Sequence, residues 1–365
     1  MAGPTAFLVM PDLNNSRVVY KIHIESVPSA DDHGEAAPPV SVHPVARWPL
    51  PHAFAVSGSS ILAIAAGSRD TVVRDTVTQV DAPGPRLRVA KRQPALLPVG
   101  DDTVLVMDRR LRACCFEVLR RLPGGGGWRA DPVPEPPLGF MLEDDPDEHD
   151  PDGVFVYVKH ISAYFAMGKR VWITVSLVGT VSLDTERGTW RVEGSWELPF
   201  RMRGFFAPEL GSAIGIADDF KGHCVEVCAV DVEARPPVVR QVWQIPAERP
   251  EPRFLVNHFS LAYLGNARFC LSSSVVVGDT STEIYYMNAY GTAFTEIYVR
   301  RLPNGELELA KRESCIHTWP VSHFGQGYSN ANELYPEEGP CRKRQMKEKC
   351  SHEGVSSFLL HLLKC

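Results

Sequence analysis

Two aspartates and three tryptophans have the residue types and spacing that chemistry could use. Asp184 and Asp231 could serve as an acid and a base in proton transfer. Trp190, Trp196 and Trp243 offer flat rings on which a ligand could stack. Each aspartate sits in a segment of the same form, Ser182-Leu183-Asp184-Thr185-Glu186 and Ala229-Val230-Asp231-Val232-Glu233. Asp184 to Trp196 and Asp231 to Trp243 are both 12 residues, Asp to Pro199 or Pro246 is 15, and the copies lie 47 positions apart. Internal repetition at about 40–50 residues is the mark of propellers and arrays. The regularity therefore points to a scaffold. The aspartates are expected to accept backbone N–H groups in turns, and the tryptophans to pack between neighbouring sheets.

The other groups with chemical potential are read in the same way. Gly124-Gly125-Gly126-Gly127 is followed by no Lys-Ser/Thr, so it is a permissive turn before Trp128 and no phosphate cradle. Neither a Gly-x-Ser-x-Gly elbow nor a His-Glu-x-x-His pair is present. His223, Cys224 and Cys228 lack the knuckle spacing of structural zinc, and core packing is expected for them. Cys341, Cys350, His352 and Cys365 match no standard zinc pattern. The acidic run from Glu143 to Asp152 lacks EF-hand spacing and is expected to be a solvated surface loop. The basic cluster Arg342-Lys343-Arg344, Lys347 and Lys349 is expected to be a solvated terminus. No residue is assigned as catalytic, cofactor-binding or metal-binding, and no cofactor is implied.

Something must carry these residues, and composition limits what it is. With 365 residues the chain can bury a large core. The 30 Pro and 28 Gly fall between short apolar runs, which favours many turns. A net charge of −6 argues against a general nucleic-acid binder. The nine Cys lie mostly within apolar runs, as reduced thiols of a cytoplasmic or nuclear protein would. Residues 6–10 are too short for a secretory core, and residues 355–363 are too short to span a bilayer. Strand-like runs recur throughout, for example at residues 171–175, 180–183 and 190–196, then again at 211–216, 224–230 and 238–245. A second echo pairs Val118-Leu119-Arg120-Arg121-Leu122-Pro123-Gly124-Gly125 with Tyr298-Val299-Arg300-Arg301-Leu302-Pro303-Asn304-Gly305, 180 residues later. Counting units gives about six, centred near residues 20, 65, 110, 180, 225 and 280. The expected fold is all-β: a kelch-like β-propeller of about six blades over residues 1–324. Radial stacking suits sheets too small to bury both faces alone. Residues 325–365 are expected to form a divergent, irregular tail, disordered or partly helical.

The order of several segments resembles a known family. They include Asp75-Thr76-Val77-Thr78, Val104-Leu105-Val106-Met107-Asp108, Val178-Gly179-Thr180-Val181-Ser182-Leu183-Asp184-Thr185, Trp196-Glu197-Leu198-Pro199-Phe200 and Leu261-Ala262-Tyr263-Leu264-Gly265-Asn266-Ala267-Arg268-Phe269-Cys270. Together they resemble a large grass-expanded plant family known only as a domain of unknown function, similar to kelch-like and F-box-associated propellers. The resemblance spans roughly residues 5–318 and implies a plant source and a propeller. It brings no activity and no catalytic residues. Residues after Trp319 depart from the pattern, and no F-box is recognisable in the residues before the first expected strand, so a direct adaptor role is not expected. The functional expectation is a non-enzymatic protein-interaction scaffold with a protein partner, without membrane or nucleic acid. The alternatives are an enzyme with its site at the channel, or a divergent member with altered or lost function.

Overall fold

The computed structural model describes residues 5–11, 16–24, 40–49, 51–111, 115–125, 127–137, 159–221, 224–246, 254–279, 286–319 and 361–364. Twenty-four strands and two short 3-10 turns make up the regular structure among them. Blade two is a meander of β4 (Pro51–Ser57), β5 (Ser60–Ala65), β6 (Thr71–Asp75) and β7 (Asp81–Pro83). Blade three repeats it with β8 (Pro94–Pro98), β9 (Thr103–Asp108), β10 (Phe116–Arg121) and β11 (Trp128–Pro132). Blade four has β12 (Ile161–Met167), β13 (Arg170–Val175), β14 (Gly179–Asp184) and β15 (Thr189–Gly194). Blade five has β16 (Arg201–Ala207), β17 (Ser212–Lys221), β18 (Cys224–Asp231) and β19 (Val238–Pro246). Blade six has β20 (Phe254–Gly265), β21 (Arg268–Asp279), β22 (Tyr286–Arg301) and β23 (Leu307–Trp319).

Blade one is assembled differently. Its strands β1 (Thr5–Pro11), β2 (Ser16–Ile24) and β3 (Val40–Pro49) are joined by β24 (His361–Lys364), which pairs antiparallel with β1. Four residues of the segment expected to be irregular thus supply the first strand of a sheet, and that strand lies against β20 and β4. Each sheet stays open, and contacts between first strands run from blade to blade: β4 with β8, β8 with β12, β12 with β16, and β16 with β20. At one joint the contact becomes a hydrogen-bonded pairing. β12 and β16 run parallel, with Ala163 opposite Met202 and Tyr164 opposite Arg203. The fold is the propeller of six four-stranded units expected from the repeats.

Strand composition follows position along the radius. β9 (Thr-Val-Leu-Val-Met-Asp) is buried throughout because a neighbouring sheet covers each of its faces. β11 and β15 lie outermost and are largely open to solvent. The core is divided among the joints. Phe7, Trp48, Phe54 and Ile61 fill the joint of blades one and two, and Leu62, Leu96 and Val104 that of two and three. Leu105, Phe116, Ile173 and Leu183 pack between three and four, and Phe205, Ile214, Phe269 and Ile297 between five and six. The joint of four and five is aromatic: Phe165 stacks on Trp172 at 5.0 Å and meets Phe200 edge-on at 6.2 Å. Gly215 faces this joint because a Cβ there would lie 2.5 Å from the Phe200 ring.

Candidate functional site

The repeated aspartates close turns. Asp184 Oδ1 accepts the backbone N–H groups of Glu186 and Arg187 at 3.1 and 3.0 Å, between β14 and β15. Asp231 Oδ1 accepts those of Glu233 and Ala234 at 3.0 and 3.4 Å, between β18 and β19. Asp75 is a third copy that the spacing argument missed; it accepts from Val77 and Thr78 at 2.9 and 2.7 Å. Hydrogen bonds to the ionised form lower a carboxyl pKa. The backbone N–H of Thr78 holds Asp75 below its ordinary value, and that of Arg187 does so for Asp184. For Asp231 the main cause is Arg240, 2.5 Å away.

The tryptophans lie between sheets. Trp190 of blade four meets Phe116 of blade three at 4.9 Å, and its indole N–H donates to the Pro134 carbonyl at 2.7 Å. Trp196 packs on the core of joint four–five and Trp243 on that of five–six. Their equal distance from Asp hides a difference. Asp184 faces Thr189 across its turn, whereas Asp231 faces Val238 across a longer one. Trp243 consequently lies within β19, while Trp196 falls beyond the end of β15. Cys228 is core, as expected: burial pushes its thiol up to about 12, and the thiol donates to the Pro199 carbonyl at 3.4 Å.

A second repeated feature frames the end of the molecule where the first strands finish. Each first strand of blades two to six turns into the second through a left-handed residue. These are Gly58, Gly100, Gly168, Gly211 and Asn266, with φ of 54, 74, 59, 54 and 53°. Glycine adopts that conformation without steric cost, and asparagine tolerates it. Side chains from neighbouring blades hold these hairpins. Arg121 Nη2 donates to Ser59 Oγ at 3.2 Å, and Arg301 Nη2 donates to the Leu210 carbonyl. Lys169 lies 3.5 Å from Asp102. Glu209 accepts the Tyr263 hydroxyl at 2.7 Å and the Ala267 N–H. Burial and Glu209 together push the Tyr263 phenol well above its ordinary pKa.

The hairpins surround a cavity of about 530 Å³, to which blades two to six all contribute. Its lining includes the apolar Val56, Leu97, Met167 and Phe206, and its polar members include Asp101, Arg203 and Tyr263. That volume lies within the range of sites for drug-sized molecules, about 300–1,000 Å³. None of the residues singled out from the sequence as chemically capable lines it.

A family model described as "Protein of unknown function (DUF1668)" matches residues 9–317. The chain belongs to the DUF1668 family. The matched span of this DUF1668 chain includes all five hairpins and the whole cavity lining. No curated protein matches it in sequence. Among solved structures it is similar to Kuenenia stuttgartiensis hydrazine synthase, at 12% identity and TM-score 0.42, over 78% of this chain and 68% of that one. It is also similar to a chain of a nidogen/laminin complex, at 9% identity and TM-score 0.40, over 74% and 89% of the two chains. A third is the β-propeller domain of Myceliophthora thermophila Cps50 (Swd1), at 10% identity and TM-score 0.38, over 85% and 96%.

Several sequence expectations for the DUF1668 chain lie outside the described residues. They are the acidic run 143–152, the basic cluster at Arg342 to Lys349, His223, and Cys341, Cys350, His352 and Cys365. Among the described residues, no helix is long and apolar enough to cross a membrane.

Proposed function

We propose that the protein is a non-enzymatic interaction scaffold that receives a segment of a protein partner at the ringed cavity. The observation that supports it is the way the rim is held. Arg121, Arg301, Lys169 and Glu209 each tie a hairpin of one blade to a neighbouring blade. A rim fixed in this way is preorganised, which lowers the cost of ordering it on binding. Loops on a rigid frame are also where recognition residues concentrate. A plant source, kelch-like kinship and a cytoplasmic or nuclear location belong to the same reading. The buried thiols of Cys115 and Cys228 suit a reducing compartment.

The test is capture of a partner from plant tissue, followed by measurement of its affinity for the purified chain. Asp101 lines the cavity and is exposed, so Asp101→Arg reverses a rim charge without opening the core. A partner that docks here should bind the variant roughly tenfold or more weakly. Unchanged affinity, or repeated failure of capture alongside turnover of a metabolite, overturns the reading.

A further inference from the structure

Among the described residues, Arg203 is the one cation lining the cavity, and its charge has no anionic partner. It sits on β16, opposite Tyr164 in the parallel register that joins blades four and five. Its guanidinium carbon lies 4.6 Å from the centre of the Phe205 ring. Its Nε is sealed from solvent and donates to no group among the described residues. No carboxylate pairs with Arg203 among the described residues, whereas Arg74, Arg120, Arg170, Arg235, Arg240, Arg268 and Arg300 each have one. Burial pushes its pKa down to about 10, so the half-buried group stays charged at neutral pH while having lost part of the solvation it had in water. Its two Nη groups are not sealed as Nε is, and the end of such a planar fork suits a carboxylate held through two parallel bonds.

We infer that the cavity binds a monocarboxylate carried on an apolar body, with the carboxylate on Arg203 and the body against Leu97, Met167 and Phe206. The apolar part of the lining selects the body, because burying it removes apolar surface from water. The acidic residues select the charge. Asp101 lines the cavity and Glu209 is bonded to Tyr263 at its edge, so a dianion such as phosphate meets like charge that a monoanion meets less. Two sources share this chemistry: a small organic acid, or the C-terminal residue of a polypeptide. The inference rests on the scaffold reading at the same mouth and specifies what enters it.

Calorimetric titration of the full chain tests it with 3-phenylpropionate, with an N-acetylated tripeptide ending in phenylalanine, with the amide of each, and with inorganic phosphate. At least one acid should saturate a single site, and its amide should bind roughly tenfold or more weakly. Tighter binding by the tripeptide acid identifies a chain terminus as the source; tighter binding by phenylpropionate identifies a small molecule. Arg203→Met should abolish the difference between acid and amide, and Arg203→Lys should keep part of it. The inference is overturned if neither acid binds, if amide and acid bind equally, if phosphate binds more tightly, or if Arg203→Met retains the preference. Should Arg203→Met not fold, the wild-type ratio of acid to amide decides alone. Failure here leaves partner capture and its Asp101→Arg control standing, so the two readings fall separately.

Discussion

Charged side chains hold this ring in two ways, and the turns between third and fourth strands show both. In blades two, four and five the turn begins with Asp75, Asp184 or Asp231, whose carboxylate accepts N–H groups two and three residues ahead. The aspartates' own bonds to N–H groups stay within the turn, although Arg120 of blade three reaches the Thr185 carbonyl in one of these turns and Arg235 of another reaches Glu193 of blade four. In blades three and six the equivalent place holds Arg121 or Arg301, within the Arg-Leu-Pro echo. Those side chains reach a hairpin of the preceding blade, Arg301 while also donating to the Gly305 carbonyl of its own turn at 3.2 Å. The aspartates fix a local shape, while the arginines fix the spacing of sheets. Glu117 is a deeper case of the second kind. From blade three it accepts the Arg88 N–H at 2.8 Å and pairs with Lys91 at 2.7 Å, both on the connection arriving from blade two. Lys91 and Glu117 side chains are only 1% and 3% exposed, so this tie lies in the core, unlike the rim arginines.

The largest expected effect follows from that burial. Glu117→Gln takes the carboxylate away from a buried ammonium, and breaking such a pair costs about 3–5 kcal/mol. Chemical denaturation should show the loss. A change below about 1 kcal/mol would mean that the connection is held by its backbone bonds alone. The rim arginines come next. Arg121→Met should cost about 1–2 kcal/mol, and Arg301→Met, which is more exposed, about half of that. A double-mutant cycle of Arg121→Met with Ser59→Ala should return a coupling of about 0.5 kcal/mol or more, because these residues touch across a joint. A cycle of Arg121→Met with Asp184→Asn should return none. Equal coupling in the two cycles would erase the distinction between local and cross-blade groups.

Much of this division was legible in the chain, but unevenly. The Asp184 and Asp231 segments predicted turns, and both aspartates make the expected bonds. Asp75 escaped because it stands 109 positions before Asp184 and no tryptophan follows it at the shared spacing. The Arg-Leu-Pro echo announced a strand and a turn, but not the reach of Arg121 and Arg301 into the preceding blade, since contacts across a joint leave no local pattern. The hairpin residues Gly58, Gly100, Gly168, Gly211 and Asn266 were readable one by one. Their separations of 42, 68, 43 and 55 residues follow the varying lengths of connections and strands and so obscure the period. β24 was hidden for a related reason: its residues pair with partners 352 to 358 positions away at the other end of the chain, and its four residues carry no repeat. Arg203 could not have been singled out. Its place depends on a parallel register between strands of two blades, and on the missing partner of one nitrogen.

The smallest effect separates the two classes most cleanly, because only one of them titrates. Asp184 and Asp231 are held below the ordinary carboxyl value of 3.8 when folded. A lowered folded pKa makes a contribution that is complete above the unfolded value and is lost as pH falls through the folded one. Their share of stability should therefore be whole above about pH 5 and should fade below about pH 4. Arg301 donates to neutral oxygens and stays charged over that range, so it adds no slope there, whereas the charge of Arg121 also helps to lower the Asp75 pKa. Asparagine preserves the acceptor oxygen and the turn. The Asp184→Asn, Asp231→Asn double variant should thus lose under about 1 kcal/mol per site at pH 7, as expected for partly exposed groups. Its stability should fall less steeply than wild type between about pH 4 and pH 2, while Arg301→Met should run parallel to wild type throughout. If the acid limb of the double variant matches that of wild type, the aspartates shape their turns without their charge contributing, and the contrast with the arginines is one of reach alone.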